Sequence, residues 1–142
     1  MQKKNQDSIR VPARLESLEK LVEFALAALR RAGIGDRDAA PVHLAIDEAC
    51  TNCISYAYPE GQEGEIEISC RNEPGEIVFT IRDWGRPFNP LEAEPPDLSL
   101  GIEDRPVGGL GICLMKKSCD RLEYRRQEGT NVLTIRKKIS KQ

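Results

Sequence analysis

Residues 65–83 have the sequence EIEISCRNEPGEIVFTIRD, and this stretch decides the fold. Polar and apolar side chains alternate over 65–70, which is the pattern of a strand that buries one face. Apolar residues alternate again over 76–83, and the intervening residues 72–75 contain the Asn, Pro and Gly that favour a turn. The stretch therefore predicts a β-hairpin of two antiparallel strands.

The chain before this hairpin predicts one short strand and two helices. Residues 8–11 alternate weakly, as a short edge strand does. Leucine and valine recur at helical spacing over 14–32, which predicts an amphipathic helix that Gly33 ends. A second helix is predicted over 38–58, and Pro59 ends it.

The chain after the hairpin predicts a long loop over 89–106, a helix over 109–118 and a closing hairpin over 122–135. The order of elements is β-α-α-β-β-loop-α-β-β. Because strands joined by tight turns are antiparallel and helices cannot lie between them, the helices must cover one face. The sequence therefore predicts an α+β fold, a two-layer α/β sandwich whose mainly antiparallel sheet is covered on one face by helices.

Length and composition narrow the class of protein. The 142 residues are the size of one compact domain, so we expect a single domain over 1–142 with disordered tails at 1–7 and 140–142. The net charge is −2 and no basic stripe is present, which argues against direct nucleic-acid binding. No stretch approaches the roughly 20 apolar residues that cross a bilayer, and the polar N-terminus does not resemble a signal peptide. We expect a cytoplasmic protein that does not enter the membrane.

Two of the five cysteines, Cys50 and Cys53, form a C-x-x-C motif. A structural zinc site would need a second pair at similar spacing, and Cys113 and Cys119 do not supply one. We interpret the cysteines as buried packing thiols, with metal or redox chemistry as the alternative.

The second helix has a polar side that carries Glu48 and Asn52. Successive helical residues are rotated by about 100°, so these two side chains lie one turn apart, while Cys50 and Cys53 fall on the apolar side. The plain interpretation is a solvated helix surface. The chemical interpretation is an amide oxygen suited to Mg²⁺ beside a carboxylate that can orient or deprotonate a hydroxyl group.

Two turns contain glycine. Residues 83–88 (DWGRPF) follow a strand, where Asp83 can accept a hydrogen bond from an exocyclic amine and Gly85 lets the backbone approach a flat base. Residues 108–111 (GGLG) precede a helix, where backbone N–H groups can bind phosphate oxygens. Each turn alone is weak evidence, since a simple Asp-x-Gly turn or a flexible loop end explains it equally well.

Together these features resemble a known family. E-x-x-x-N on a helix, D-x-G-x-P-F after a strand, a long loop, and G-G-x-G before a helix closely resemble the GHKL ATPase superfamily with its Bergerat ATP-binding fold. Within it the chain is similar to the small anti-sigma-factor serine/threonine protein kinases. The similarity in organisation extends from Val11 to Ile139.

The resemblance implies roles for residues at the base and the catalytic end of the pocket. Glu48 would be the general base toward a serine or threonine hydroxyl, and Asn52 would bind a Mg²⁺ ion that bridges the ATP phosphates. Asp83 would accept the adenine amine, Gly85 would pack on the base, and Phe88 would complete this part of the pocket.

The resemblance also implies a lid over 89–107 that covers the phosphates. Arg105 in this lid would pair with phosphate or face solvent, and Thr130 would lie near the adenine. The glycine turn would bind the phosphates through Gly108, Gly109, Leu110 and Gly111.

The implied function is an ATP- and Mg²⁺-dependent protein kinase that is also an anti-sigma factor. It would phosphorylate an anti-sigma-factor antagonist, sequester a sigma factor and form a homodimer. Two alternatives stay open: a nucleotide-dependent regulatory module without phosphotransfer, and a detached catalytic domain of a histidine kinase. The one histidine, His43, is expected at the helix surface, and it gives the last alternative little support.

Overall fold

The structure, a computed structural model, describes residues 6–59, 61–89 and 120–139. Five strands lie in these ranges: β1 (Gln6–Pro12), β2 (Glu65–Glu73), β3 (Glu76–Asp83), β4 (Arg121–Gln127) and β5 (Thr130–Lys138). They form one antiparallel sheet in the order β1-β2-β3-β5-β4.

Two helices lie between β1 and β2. Helix α1 (Leu18–Arg31) follows a short 3₁₀ turn at Leu15–Ser17, and α2 spans Asp36–Asn52. The chain then continues as a π-helical turn at Cys53–Ala57, a rare geometry that often marks a functional site. Neither described helix is long and apolar enough to span a bilayer.

The predicted α+β fold is confirmed, and the hairpin at 65–83 forms as predicted. The prediction of a disordered tail over 1–7 is wrong for its last two residues. Gln6 and Asp7 belong to β1, where their backbones pair with Arg71 and Cys70 of β2. The rest of the predicted tails, 1–5 and 140–142, lies outside the described residues. So do residues 90–106 of the predicted loop and the third predicted helix, 109–118.

The core lies between the two helices and one face of the sheet. On β3 the inward row is Ile77, Phe79 and Ile81, and on β5 the facing row is Ile135 and Leu133. Helix residues close this layer from above: Leu21, Leu29, Val42 and Ile46. Burial of each side chain of this size stabilises the fold by about 1.5–3 kcal/mol. The helices therefore pack on the apolar face of the sheet.

The inward rows become polar at one end of the sheet. Asp83 continues the row of β3, and Asn131 continues the row of β5 directly opposite it. Both side chains are buried, although both are polar. This end of the sheet, covered by the end of α2, is therefore where the fold places functional groups.

Tyr58 joins the segment after α2 to this end of the sheet. Its hydroxyl donates to the Glu65 carbonyl (2.5 Å) and accepts from the N–H groups of Glu65 (3.2 Å) and Trp84 (2.9 Å). One side chain thus connects the exit from the helix, the start of β2 and the residue after β3. Gly64 passes so close to the Tyr58 ring that a Cβ at this position would overlap it.

We expect Tyr58→Phe to destabilise the protein by about 1–3 kcal/mol, because three main-chain groups lose a partner in a partly buried place. Urea unfolding followed by circular dichroism measures this loss. Tyr56→Phe is the matched control, since the Tyr56 hydroxyl makes no hydrogen bond within the described ranges; it should change stability by less than about 0.5 kcal/mol. Equal stabilities of the two variants would contradict the role of the Tyr58 hydroxyl.

Candidate functional site

Asp83 is the centre of the site. It is 4% exposed, and three donors reach its carboxylate. Oδ1 accepts from the Gly85 N–H (2.9 Å) and from Asn131 Nδ2 (2.9 Å), and Oδ2 accepts from Cys53 Sγ (2.7 Å). A buried carboxylate without such donors would strongly destabilise the fold. Because the donors come from the next turn, from β5 and from the π-helical turn, Asp83 joins three parts of the molecule.

Asn131 holds the turn that follows β3, and it is not among the site residues predicted from the sequence. Its Nδ2 also donates to the Arg86 carbonyl (2.8 Å), while its Oδ1 accepts from the Phe88 N–H (3.2 Å) and from the Tyr124 hydroxyl. The side chain is 5% exposed and uses both ends of its amide. The D-x-G-x-P-F turn is therefore shaped by an amide from a distant strand.

Gly85 is required by a close approach between two backbones. A Cβ at this position would overlap the carbonyl oxygen of Ala57, and the Arg86 N–H donates to that same oxygen (2.8 Å). The Gly85 carbonyl accepts from Arg126 Nη1 (2.7 Å). The sequence predicts contact between Gly85 and a flat base, whereas among the described residues its close neighbour is the end of the π-helical turn.

Glu48 and Asn52 lie over this end of the sheet with unpaired polar atoms. Asn52 is only 2% exposed, so the plain interpretation of a solvated helix surface does not hold for this residue. Buried Oε2 of Glu48 and Nδ2 of Asn52 have no hydrogen-bond partner within the described part of the chain. Unpaired buried groups cost about 1–3 kcal/mol each, and in native proteins they call for a functional explanation.

The surroundings of Glu48 change its acidity. Burial raises the pKa of its carboxyl above the ordinary value, and the nearby charge of Asp47 raises the pKa further. The Asn52 amide lies close enough to lower the pKa in part, although its Nδ2 makes no hydrogen bond of ordinary geometry to a described residue. A carboxylate with a raised pKa is a stronger base, as proton abstraction requires.

A small cavity of about 20 Å³ lies between these groups. Its lining includes Asn52 and Cys53 from the helix, Asp83 and Asn131 from the strands, and Phe88 from the turn. The Phe88 ring packs on Tyr56, with centroids 5.6 Å apart. The cavity is much smaller than a purine. The described residues would therefore form only the floor, or inner wall, of a site for a ligand of that size.

A larger cavity of about 580 Å³ lies at the β1 edge, between Arg10, Tyr58 and Trp84. Here Arg10 stacks on the Trp84 ring at 3.9 Å and forms an ion pair with Glu65. We place the functional site at the smaller cavity because the buried Nδ2 of Asn52, which lines it, has no partner among the described residues, whereas Arg10 at the larger cavity is partnered.

Of the predicted site residues, Asn52, Asp83 and Phe88 line the small cavity, and Gly85 donates to Asp83. Glu48 lies one helical turn before Asn52 and is not among the lining residues. Thr130 is not among the residues that line the cavity; its hydroxyl donates to the Gln127 carbonyl in the β4–β5 turn (2.6 Å), and Asn131 faces Asp83 instead. The other predicted residues lie outside the described ranges: Arg105, Gly108, Gly109, Leu110 and Gly111.

Three cysteines, Cys50, Cys53 and Cys70, are free and buried, so the prediction of packing thiols is confirmed for their burial. Burial raises the pKa of the Cys50 thiol to about 12, which leaves it protonated. Cys53 also donates to Asp83, so the prediction that it only packs is wrong; Cys113 and Cys119 lie outside the described residues. Among the described residues no cluster of three or more acidic, cysteine or histidine side chains is suited to a metal ion.

Residues 11–137 match the family of the histidine kinase-like ATPase domain. The chain belongs to this family. The sequence is 31% identical over 130 residues to the serine-protein kinase RsbW of Bacillus cereus, covering 88% of this chain and 80% of that protein. It is 34% identical over 92 residues to the serine/threonine-protein kinase BtrW of Bordetella bronchiseptica, covering 65% of each chain.

The fold of this ATPase domain also occurs in a solved structure, that of the RsbU and RsbW domains of Rv1364c from Mycobacterium tuberculosis. The TM-score is 0.66 at 14% sequence identity, over 96% of this chain and 33% of that one. The predicted superfamily and fold are confirmed, and so is the predicted class of enzyme, a serine/threonine protein kinase of GHKL type.

We expect Gly85→Ala to destabilise this ATPase domain by about 1–3 kcal/mol, because the new methyl group overlaps the Ala57 main chain. Thermal or urea unfolding measures the change. Gly35→Ala is the control, because nothing lies within 4 Å of a Cβ at that position. This variant should lose less than about 1 kcal/mol of stability. A Gly85→Ala protein as stable as the control would show that the two backbones separate easily.

We expect Glu48→Gln to stabilise the ATPase domain near neutral pH. The raised pKa means that the folded state binds this proton more tightly than the unfolded state does. Wild-type stability therefore falls as the pH rises from the ordinary glutamate pKa, about 4.3, through the raised value, and the variant avoids this loss.

Urea unfolding at neutral pH and below about pH 4 tests this expectation, since the advantage of Glu48→Gln should vanish at the lower pH. Glu23→Gln, on the exposed side of α1, is the control. Its free energy of unfolding should differ from that of wild type by less than about 0.5 kcal/mol at both pH values. A Glu48→Gln variant less stable than wild type at neutral pH would contradict an unfavourably buried carboxylate.

Proposed function

We propose that this kinase is a cytoplasmic, ATP- and Mg²⁺-dependent anti-sigma factor that phosphorylates an anti-sigma-factor antagonist on serine or threonine. It sequesters a sigma factor when the antagonist is absent or phosphorylated, and it acts as a homodimer. The observation that supports the phosphotransfer most directly is the pair formed by half-buried Glu48, whose Oε2 is buried, and buried Asn52. Their polar atoms lack partners among the described residues, beside an Asp83 carboxylate that three donors already bind. Two observations support the proposed partners: the resemblance to the anti-sigma-factor kinases and the similarity to RsbW.

Asp83 is proposed as the acceptor for the adenine amine. A carboxylate offers about four acceptor positions, and three are occupied by Cys53, Gly85 and Asn131. One position on Oδ2 is left for a ligand N–H group. The neighbouring Phe88 ring supplies apolar surface for the base, and its backbone is held by Asn131.

Asn52 is proposed as the ligand of Mg²⁺. Amide and carboxylate oxygens are the ligands that this ion prefers, and it keeps several waters and phosphate oxygens as its other ligands. The ligand atom would be Asn52 Oδ1. The atom that is buried without a partner within the described ranges is Nδ2, a donor, which suits a phosphate oxygen beside the ion. When bound, the ion would neutralise charge on the phosphates, and Asn52 would orient it.

Glu48 is proposed as the general base. Phosphoryl transfer depends on alignment, charge neutralisation and a residue that orients the acceptor hydroxyl. The Glu48 carboxylate would accept the proton of the serine or threonine hydroxyl while the hydroxyl oxygen bonds to the γ-phosphorus of ATP. The bond from that phosphorus to the bridging oxygen would break, and ADP would leave. Its raised pKa suits it to this role, since a stronger base takes the proton more readily.

The roles of residues outside the described ranges stay predictions. The glycine turn would bind the phosphates through backbone N–H groups, with Arg105 in the lid nearby. Thr130 near the adenine also stays a prediction.

We expect Glu48→Gln to lower phosphotransfer by about 10²–10⁴-fold while nucleotide affinity stays close to wild type. The assay incubates the purified chain with radiolabelled ATP, Mg²⁺ and cytoplasmic extract, and counts acid-stable phosphoserine and phosphothreonine. The wild-type rate should also fall on the acid side at a pH above the ordinary glutamate pKa, because the base must be deprotonated.

Asp47→Asn is the matched control for this assay, since it removes the neighbouring carboxylate and leaves Glu48 in place; it should transfer phosphate at nearly the wild-type rate. Equal labelling by wild type and Glu48→Gln would disprove the base assignment. Tight nucleotide binding with no labelled protein would favour the regulatory module without phosphotransfer. Acid-labile, base-stable label would favour histidine phosphorylation.

A further inference from the structure

Cys53 is the first residue of the π-helical turn, and its thiol contacts the centre of the site. Its Sγ donates to Asp83 Oδ2 at 2.7 Å, and this side chain is 7% exposed. Cys50, one turn earlier, is fully buried in the core, and it has no hydrogen bond to Asp83.

The thiol limits how the carboxylate can receive a ligand. Oδ1 already accepts two hydrogen bonds, from Gly85 and Asn131, so a ligand can approach only Oδ2. On Oδ2 the thiol occupies one of two acceptor positions. The direction of the remaining position is therefore set by Cys53.

A second observation shows that the same place is prepared for a ligand. Asn52 and Cys53 line the same cavity as Asp83. Asn52 is only 2% exposed, and its buried Nδ2 has no hydrogen-bond partner within the described ranges. The cavity thus joins a donor without an acceptor to a carboxylate with one acceptor position left.

We propose that Cys53 is a positioning residue for purine recognition, whose thiol aims the last acceptor position of Asp83 at the exocyclic amine of adenine. The proposal rests on the proposed function, because it takes ATP as the ligand. A single remaining acceptor matches a single N–H group. Cys53 touches neither the reacting phosphate nor the hydroxyl, and it acts through Asp83.

The thiol keeps its proton under physiological conditions. Burial raises the pKa of Cys53 well above that of a free cysteine, and the Asp83 charge beside it raises the pKa further. The titratable groups that face this thiol among the described residues are Asp83, Cys50 and Tyr58. A protonated thiol is a donor, as the hydrogen bond to Asp83 Oδ2 requires.

The test compares two nucleotides that differ only in the amine: ADP and the diphosphate of purine riboside, which has hydrogen in its place. Affinities are measured by calorimetry for wild type, Cys53→Ala and Cys53→Ser. We expect wild type to prefer ADP and Cys53→Ala to lose about three- to tenfold of that preference, the worth of one hydrogen bond. Cys53→Ser keeps a donor and should retain the preference, although its side chain is also smaller than that of cysteine.

Cys50→Ala is the control for loss of a buried thiol. It should lower stability without changing the ratio of the two affinities, because Cys50 does not contact Asp83. A purely structural role of Cys53 would lower both affinities alike and leave the ratio unchanged. Equal ratios in wild type, Cys53→Ala and Cys53→Ser, with wild type preferring ADP, would overturn the role of Cys53 alone.

Wild type without any preference for the amine would overturn the assignment of Asp83 together with this inference, and wild type that binds neither nucleotide would overturn the proposed function as well. If Cys53→Ala does not fold, infrared spectra decide. The S–H stretching band lost in Cys53→Ser should lie at lower frequency than the band lost in Cys50→Ala, because a charged acceptor weakens the S–H bond. Equal frequencies would contradict the hydrogen bond to Asp83.

Discussion

The structure depends on one buried carboxylate. Asp83 lies at the end of the central strand β3, where water cannot reach it freely, so its charge must be compensated by protein donors. The three donors come from Gly85 in the next turn, Asn131 on β5 and Cys53 after α2. Since each donor belongs to a different element, the helix layer, the sheet and the turn have to meet in one arrangement. The constraint that stabilises this end of the fold is the same one that shapes the candidate site.

The position of the site follows from strand geometry. Side chains alternate between the two faces of a strand, so the row that contains Phe79 and Ile81 must continue inward at Asp83. The facing row on β5 reaches Asn131 at the same level. The apolar core therefore passes directly into a polar floor without any change of direction in the chain.

Much of the fold and part of the site could be predicted from the sequence. Alternation over 65–83 identified the hairpin, helical spacing identified both helices, and the joined motifs identified Glu48, Asn52 and Asp83. These signals are local, because each depends on residues a few positions apart. The family resemblance added the nucleotide, which no single motif determined.

The missed features all depend on distant contacts or on a local change of helix type. Asn131 follows Gly129 and Thr130 and resembles the end of a turn, and only the register of β3 with β5 shows that it faces Asp83. Cys53 falls on the packing side of a regular α-helix, whereas the chain changes to a π-helical turn at that residue. No simple sequence pattern predicts such a change.

The two halves of the site differ in how well their polar groups are bonded. Around Asp83 three protein donors already bind the carboxylate, so the described residues hold this half in one arrangement. At Glu48 and Asn52 the groups are buried but unmatched, and the described part of the fold gives them no partner. Their cost is offset only when a ligand supplies an acceptor for the amide and a proton for the carboxylate. Under the proposed function, a phosphate oxygen would accept from the amide and the acceptor hydroxyl would supply the proton, which would account for two unpaired buried atoms one helical turn apart.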